Sequence, residues 1–466
     1  MNYTFDLVVI GGGPGGYAAA IRAAQLGLKA AVIEEREMGG TCLNRGCIPT
    51  KALLHSAEIY HSARHSMEYG VIVNRVDFDY SVIVNKKERV VKQLRSGVEK
   101  LVKSNGAAVL SGRARIKDRN TVEITGKSSQ TITAGKIIIA TGSRPFKPPI
   151  PGIDGDKVLD SDGVLSLAVC PEKVVIIGGG VIGVEFAAFF NALEKAVTII
   201  EMTDTILPGV DTEISSALKE SLTGKGVQIF NGSRVTSVNS DTRAVCTFVS
   251  KGTEMKAEGD IVIVAAGRKP NTEGLGLENA GIETERGFIK VNDRMETSTG
   301  GIYAIGDVTG KIQLAHVATA QGMVAAANAA GGNRIMDYTA VPGCIYACPE
   351  VATVGLSEAE AIKEGYEVKI GKFFTGANGK SMIAGEREGL VKIVTDAGTG
   401  EILGTHIMAP RATDMISEIC VAMKLEATID EIAQTIHPHP TVSEIIMEAA
   451  HDVEGHCIHS TAYGRK

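Results

Sequence analysis

A short apolar run, Phe5 and then Leu7 to Ile10, stops abruptly at the glycine-rich turn Gly11-Gly12-Gly13-Pro14-Gly15-Gly16. Continuous apolar character closed by glycine predicts a buried strand over 6–10. The alanine-rich stretch that follows predicts a helix ending near Gly27, and the next apolar run a strand over 30–34. The same order returns later as a strand over 174–177, the turn Gly178-Gly179-Gly180-Val181-Ile182-Gly183, a helix through about Leu193 and a strand over 197–201. Each copy also closes with a similar apolar strand and glycine turn, at 137–142 and at 261–267. Two copies of strand, glycine turn, helix and strand are far less probable by chance than one, and they predict two β-α-β units with parallel sheets.

Elsewhere the patterning changes. Residues 86–104 read as a charged amphipathic helix presenting a solvated face, and 51–67 as a second helix. The proline-rich stretch 145–152 reads as a linker, which puts a boundary near 146. The pattern shifts again after Asn271, and 301–307 reads as a strand ending in an acidic turn. From about Val341, apolar segments at 390–395 and 402–408 with helices at 412–423 and 429–436 predict a separate α+β domain. The predicted fold class is therefore α/β, with two Rossmann-like dinucleotide-binding units and a carboxy-terminal α+β domain. The units are expected at 1–145 with 272–340, at 146–271, and at 341–466.

The glycine turns carry the first candidate chemistry. Gly11 allows the tight turn, Gly13 the close approach of a pyrophosphate and Gly16 close helix packing, with phosphate charge held at the helix amino terminus. Gly178, Gly180 and Gly183 repeat these roles. Glu34 lies 23 residues after Gly11 and Glu201 lies 23 after Gly178, where a carboxylate can accept hydrogen bonds from an adenosine ribose. The stretch 201–205 holds a carboxylate and no arginine, so a 2′-phosphate would be repelled and NAD is expected over NADP. Asp307, taken alone, is ordinary Gly-Asp turn chemistry.

Length, charge and cysteine usage narrow the setting. A chain of 466 residues suggests about three domains. A net charge of −6 and a pI near 6.0 give no reason to expect nucleic acid or an anionic membrane surface. The 54 glycines, set among globular fractions of charged and apolar residues, point to tight turns. Eight scattered cysteines do not form a disulfide framework, and a reducing, cytoplasmic setting fits them. The amino terminus shows no basic leader and no cleavage site, and no run of 18 apolar residues predicts a membrane span.

Cys42 and Cys47 sit five apart in 39–51. Five residues advance a regular helix by roughly 7.5 Å, beyond the roughly 4.4–6.8 Å between Cα atoms that a disulfide tolerates. If the two are bonded the backbone must bend, and Gly46 and Pro49 suit a distorted start to the helix. A short strained bridge is readily reduced. Two buried thiols, a metal half-site and a working dithiol all remain open. No second cysteine pair or histidine cluster stands at ligand spacing, so no metal is expected. Near the other end, His437-Pro438-His439-Pro440-Thr441-Val442-Ser443-Glu444 offers two readings of Glu444. It closes a capping box begun by Thr441, or it holds one ring nitrogen of His439 so that the other acts as general base. The two roles are expected to exclude each other, and His437 is expected to shape the loop.

The motifs GGTCLNRGCIPTKALLH at 39–55, GGGVIGVE at 178–185, YAIGDV at 303–308, LAHVA at 314–318 and HPHPTVSE at 437–444 together resemble the flavoprotein disulfide reductases. Within that family the wording is most similar to the branch that oxidises dihydrolipoamide in 2-oxo acid dehydrogenase and glycine-cleavage complexes. The resemblance covers nearly the whole chain. It implies FAD in the first unit, NAD in the second, and a carboxy-terminal interface domain that forms a homodimer and works on a lipoyl-bearing protein. It makes Cys42 the interchange thiol and Cys47 the thiol against the flavin, bonded to each other in the oxidised state. The pair His439 and Glu444 is then supplied by the partner subunit. Lys51 and Glu185 match an ion pair at the flavin edge. Asp307 matches a ribityl contact, while Ala114, Gly142 and Ala315 match further FAD contacts and Val235 and Gly267 match NAD contacts. Val181 stands where glutathione-reductase-like members place a gating tyrosine.

Two positions depart from the family wording: Arg45 replaces a small apolar residue and Thr50 replaces serine. Arg45 is expected to point to solvent, or else to favour a thiolate or an anionic substrate. Cys457, near His456 and His459, is expected to be unimportant, and Cys344 and Cys348 structural. A reductase of some other disulfide with NADH, or a non-catalytic flavin scaffold, would share most of these motifs.

Overall fold

The computed structural model describes residues 3–126 and 129–460. Its first sheet has the parallel strands Ala108–Ser111, Ala30–Glu34, Phe5–Ile10 and Gln130–Ile139 side by side, with Ile302–Ala304 pairing beyond the last. Leu7, Val8, Val9 and Ile137 to Ile139 are fully buried, which is why these strands read as unbroken apolar runs: helices and loops cover both faces. Helix α1 (Pro14–Gln25) opens with proline in its first turn, where the missing N–H costs nothing. Gln130–Ile139 is long enough to continue into an antiparallel extension with Thr121–Thr125 and Arg113–Asp118.

Helices α2 (Gly40–Arg45), α3 (Cys47–Arg64) and α4 (Tyr80–Ser104) leave this sheet before its last strands form. The helix expected over 51–67 therefore starts four residues earlier, and Met67 belongs to a separate 3-10 turn, Ser66–Tyr69. The expected 86–104 helix begins at Tyr80, capped by the Asp79 carboxylate accepting from the Ser81 N–H at 2.9 Å. It is more than a solvated face: Lys87, Val91 and Val102 are buried in it.

The chain crosses to the second sheet on a two-stranded ribbon in which Ser143–Pro145 pairs antiparallel with Arg268–Pro270. That sheet is parallel, ordered Gln228–Phe230, Ala196–Ile200, Lys173–Ile177, Ile261–Val264 and Val158–Leu159. A short helix, α5 (Ser161–Leu165), precedes its central strand, and α6 (Val181–Ala192) and α7 (Thr212–Gly224) follow. Phe186, Phe189 and Phe190 of α6 are buried, each contributing about 1.5–3 kcal/mol through removal from water. The antiparallel sheet Ser233–Asn239, Ala244–Ser250 and Thr253–Gly259 is an insertion that no periodicity announced. Helix α8 (Ala315–Ala329) returns to pack on α1.

The third sheet is antiparallel, ordered Gly343–Ile345, Glu350–Gly355, Ile402–Ala409, Leu390–Asp396 and Val368–Phe374. Helices α9 (Glu358–Glu364), α10 (Gly379–Ala384), α11 (Ala412–Lys424), α12 (Ile429–Gln434) and α13 (Glu444–Val453) accompany it, α12 stopping two residues short of the expected end. One apolar cluster joins all three units: Leu53 and Ala57 of α3, Val184 and Phe190 of α6, and Ile345, Val351, Leu390 and Met408 of the third sheet. It fixes α3 between the two glycine-turn units. Among the described residues no helix is long and apolar enough to cross a membrane.

Candidate active site

A cavity of about 1810 Å³ runs from the first glycine turn to the second. At each turn the glycines divide the work in the same way. Gly11 has φ +106° and a Cβ there would lie 2.3 Å from the Ala140 carbonyl oxygen, while a Cβ on Gly16 would lie 1.9 Å from that of Gly11. In the second turn the corresponding distances are 2.5 Å for Gly178 and 2.0 Å for Gly183. A Cβ on Gly13 or Gly180 would meet nothing within 4 Å, so these two face the open cavity. Both are helix N-caps without a side-chain cap, which leaves the first N–H groups of α1 and α6 for a bound anion. The residues thus fit a pyrophosphate at each turn.

The two acidic strand ends are also alike. Glu34 accepts from the Gly12 N–H at 2.7 Å and the Arg36 N–H at 2.7 Å. Glu201 accepts from the Gly179 N–H at 2.5 Å and from the Thr203 N–H and hydroxyl at 2.7 and 2.8 Å. Each carboxylate is a rigid acceptor pinned to its own glycine turn. The cavity wall also holds Ala114, Gly142, Asp307 and Ala315 toward the first turn and Val235 and Gly267 toward the second. Gly183 lies beneath the wall as a packing position.

Two lining residues escaped the sequence. Asp307 accepts from the Ser143 hydroxyl at 2.5 Å, and the Arg268 Nε donates to that hydroxyl oxygen at 2.7 Å while lying 3.8 Å from the Asp307 carboxylate. Ser143 and Arg268 each follow the glycine that closes one copy of the repeat, a matched spacing that could have identified them.

The redox segment is built on the first turn. The Gly39 N–H donates to the Gly12 carbonyl at 2.8 Å, and a Cβ on Gly40 would lie 2.6 Å from the Gly13 Cα. Helix α2 then carries Cys42, Gly46 breaks the helix at φ −149°, ψ −111°, and α3 restarts at Cys47. That one-residue break brings together two sulfurs that a continuous helix would hold apart. Pro49 falls in the first turn of α3, where proline is tolerated. Both cysteines are free thiols here. The neighbouring Cys42 thiol, joined by the Lys51 ammonium one turn along α3, holds Cys47 down at about 7 against the opposing effect of burial. The neighbouring Cys47, with burial, pushes Cys42 well up.

Lys51 and Glu185 form a close ion pair. The Lys51 ammonium donates to both Glu185 oxygens, at 2.7 and 2.8 Å, and the Glu185 side chain is only 5 % exposed. The Tyr346 N–H also donates to Glu185, at 3.2 Å, and the ammonium sits 4.5 Å from the Tyr346 ring centroid. The pair ties α3 to α6 beside the dithiol. Cys344 lines the cavity and Cys348 does not.

Arg45 lines the cavity and is paired, not simply turned to solvent as the first expectation had it. Its Nη1 donates to Glu37 at 2.6 Å and its Nε lies 3.6 Å from Asp162, leaving the side chain 20 % exposed. It lines the same cavity as the two cysteines while both carboxylates hold its guanidinium.

His439 and Glu444 correct a further expectation. One Glu444 oxygen lies 2.9 Å from the His439 Nδ1, and the other accepts the Thr441 N–H at 2.8 Å. The carboxylate orients the imidazole and holds the turn before α13 at once, because the two tasks use different oxygens. Burial works to raise the Glu444 carboxyl, but the Thr441 N–H and the His439 ring bring it below the usual range. The His439 side chain is 79 % exposed, and neither residue lines the cavity of its own chain. His437 does shape the loop, bonded to the Thr435 carbonyl and to Glu418, both at 2.9 Å. Cys457 donates to buried Glu448 at 3.0 Å and is pushed up to about 12, first by burial and then by that carboxylate, which makes it an inert thiol.

Residues 5–322 match the family described as pyridine nucleotide-disulphide oxidoreductase, and 341–450 match the dimerisation domain of that family. The chain is 45 % identical to a dihydrolipoyl dehydrogenase of Bacillus subtilis, over 98 % of this chain and 100 % of that one. It is 43 % identical to a mitochondrial dihydrolipoyl dehydrogenase of Arabidopsis thaliana, over 96 % and 89 %. Among solved structures, the HOCl-induced flavoprotein disulfide reductase RclA of Escherichia coli superposes with a TM-score of 0.85 at 29 % identity, over 95 % of this chain and 98 % of that one. LpdA of Mycobacterium tuberculosis superposes at 0.89 with 28 % identity, over 96 % and 99 %.

Proposed function

The chain belongs to the pyridine nucleotide-disulphide oxidoreductase family, and from that premise we propose that it oxidises protein-bound dihydrolipoamide to lipoamide while reducing NAD. The observation that carries the proposal is the pair Cys42 and Cys47 on either side of the helix break at Gly46, set in one cavity with both glycine turns and beside the ion pair Lys51 and Glu185. Gly11, Gly13, Gly16, Glu34, Lys51, Ala114, Gly142, Asp307 and Ala315 would hold FAD. Gly178, Gly180, Gly183, Glu201, Val235 and Gly267 would hold NAD. When bound, FAD relays two electrons from the thiols to NAD, which takes up the hydride.

Lys51, one turn beyond Cys47 on the same helix, favours Cys47 as the departing sulfur and Cys42 as the one the substrate meets. A thiol that is more acidic leaves a disulfide faster. With Cys47 held at about 7 and Cys42 pushed up, attack of a substrate thiolate on the Cys42 sulfur expels the better leaving group. The first step breaks the Cys42–Cys47 bond, forms a mixed disulfide at Cys42 and leaves Cys47 as a thiolate beside Lys51. The second substrate sulfur then displaces Cys42 and closes the lipoamide ring. Of the two substrate protons one ends on Cys42 and the other leaves through a base, while the two electrons rest on the cysteine pair.

That base is His439, oriented by Glu444. On its own chain the imidazole is exposed and outside the cavity, so we assign it to the dithiol of the other subunit in a homodimer, a pairing supported by the dimerisation domain. The partner is a lipoyl-bearing protein of a 2-oxo acid dehydrogenase or glycine-cleavage complex. Eight scattered cysteines suit a reducing, cytoplasmic setting. Steady-state assays test the substrate: NAD-dependent oxidation of dihydrolipoamide should far outpace NADH-driven reduction of glutathione disulfide and other small disulfides. Preference for one of those disulfides would overturn the assignment.

A further inference from the structure

Arg45 stands between the two cysteines, yet no step above uses it. Its guanidinium reaches two carboxylates on separate segments, Glu37 before α2 and Asp162 in the first turn of α5. Asp162 is half-buried on the cavity wall: burial and neighbouring Asp160 raise its carboxyl, while Arg45, Arg268 and Arg36 draw it back. At the other end of the same helix, the buried Lys87 ammonium of α4 donates to the Leu165 carbonyl and lies 2.8 Å from Glu88. Helix α5 has five residues, too few to hold itself. It is held at both ends by cations from the unit that carries the dithiol.

We propose that Arg45 is a positioning residue whose guanidinium straps α2, three residues past Cys42, to α5 of the second unit and so fixes Cys42 against Cys47. The role needs the arginine fork. Nη1 and Nε serve different carboxylates, and a lysine ammonium keeps the charge without that planar, two-sided reach. The inference rests on reading Cys42 and Cys47 as the redox pair. A purely electrostatic role, with Arg45 supporting the thiolate through space, makes opposite demands. Removing the cation would then make the thiol less acidic, removing the Asp162 carboxylate would make it more acidic, and lysine would serve as well as arginine.

The test uses the full-length holoenzyme, reduced anaerobically with NADH, in wild type and in Arg45→Val, Arg45→Lys, Asp162→Asn and the double variant Arg45→Val with Asp162→Asn. Two signals are read: the long-wavelength absorbance of thiolate against oxidised flavin, and the pH profile of iodoacetamide alkylation. Loss of that absorbance in all three single variants, alkylation midpoints displaced in one common direction, and a double variant no worse than Arg45→Val would support the strap. Opposite displacements for Arg45→Val and Asp162→Asn, wild-type behaviour of Arg45→Lys, additive losses in the double variant, or unchanged signals throughout would overturn it. Arg45→Lys preserves charge and bulk, so it answers even if Arg45→Val folds poorly. Absence of both signals in the wild type would instead remove the redox-pair reading itself.

Discussion

Replacing Lys51 by methionine tests the electrostatics of the dithiol. Lys51 follows Cys47 by four residues on α3, a spacing that puts side chains about 5–6 Å apart. A unit charge at about 6 Å acts with roughly 2.8 kcal/mol at an effective dielectric of 20. The Glu185 carboxylate, held to Lys51 at 2.7 Å and acting on Cys47 in the opposite sense, offsets part of this. A net effect of about 1.4 kcal/mol corresponds to roughly one pH unit. Lys51→Met should therefore move the Cys47 midpoint up by roughly one pH unit and cut its thiolate at neutral pH by up to about tenfold. Glu185→Gln removes the opposing charge and should move the midpoint the other way. The assay is a pH titration of thiolate–flavin absorbance in the NADH-reduced holoenzyme, with alkylation rates as a second readout. A Lys51→Met midpoint that stays at the wild-type value, or a Glu185→Gln midpoint that rises, would refute the account of how Cys47 is made acidic.

Further outcomes follow from the same geometry. His439→Gln should keep FAD and the fold but lower dihydrolipoamide oxidation by about 10²–10⁴-fold, the usual worth of a general base, while NADH-driven reduction of an artificial electron acceptor stays unchanged. Gly13→Ala meets open space and should fold normally with weakened FAD retention on gel filtration, whereas Gly16→Ala drives a Cβ to 1.9 Å from a carbonyl oxygen and should lower thermal stability as well. His437 is raised above its ordinary 6.5, chiefly by Glu418. Its pairing therefore adds stability that is fully present below 6.5 and lost as pH rises through the raised value, so His437→Asn should flatten the fall in melting temperature across that window.

What the sequence disclosed and what it withheld have physical reasons. The glycine turns were legible because close backbone approaches at Gly11, Gly16, Gly178 and Gly183 admit no side chain, so residue type and spacing follow directly from the fold. Buried parallel strands were legible as apolar runs for a similar reason. Arg45 was not, because its partners Glu37 and Asp162 belong to different segments brought together only by packing. Lys87 reads as one more charge on a polar helix until α5 is laid against it. Glu444 was misjudged because one letter stands for two oxygens that can face different donors. The insertion at 233–259 forms a small antiparallel sheet whose strand Thr253–Gly259 is mostly polar and exposed, giving periodicity little to mark.

The central claim is that electrons pass from a dithiol substrate through Cys42 and Cys47 to the flavin and on to NAD. Anaerobic titration of the oxidised holoenzyme with dihydrolipoamide tests it most directly. The account predicts that one equivalent produces the long-wavelength thiolate–flavin absorbance, and that NAD added afterwards yields NADH in step with its disappearance. An absorption spectrum left unchanged by dihydrolipoamide, in protein whose flavin NADH still bleaches, would contradict it.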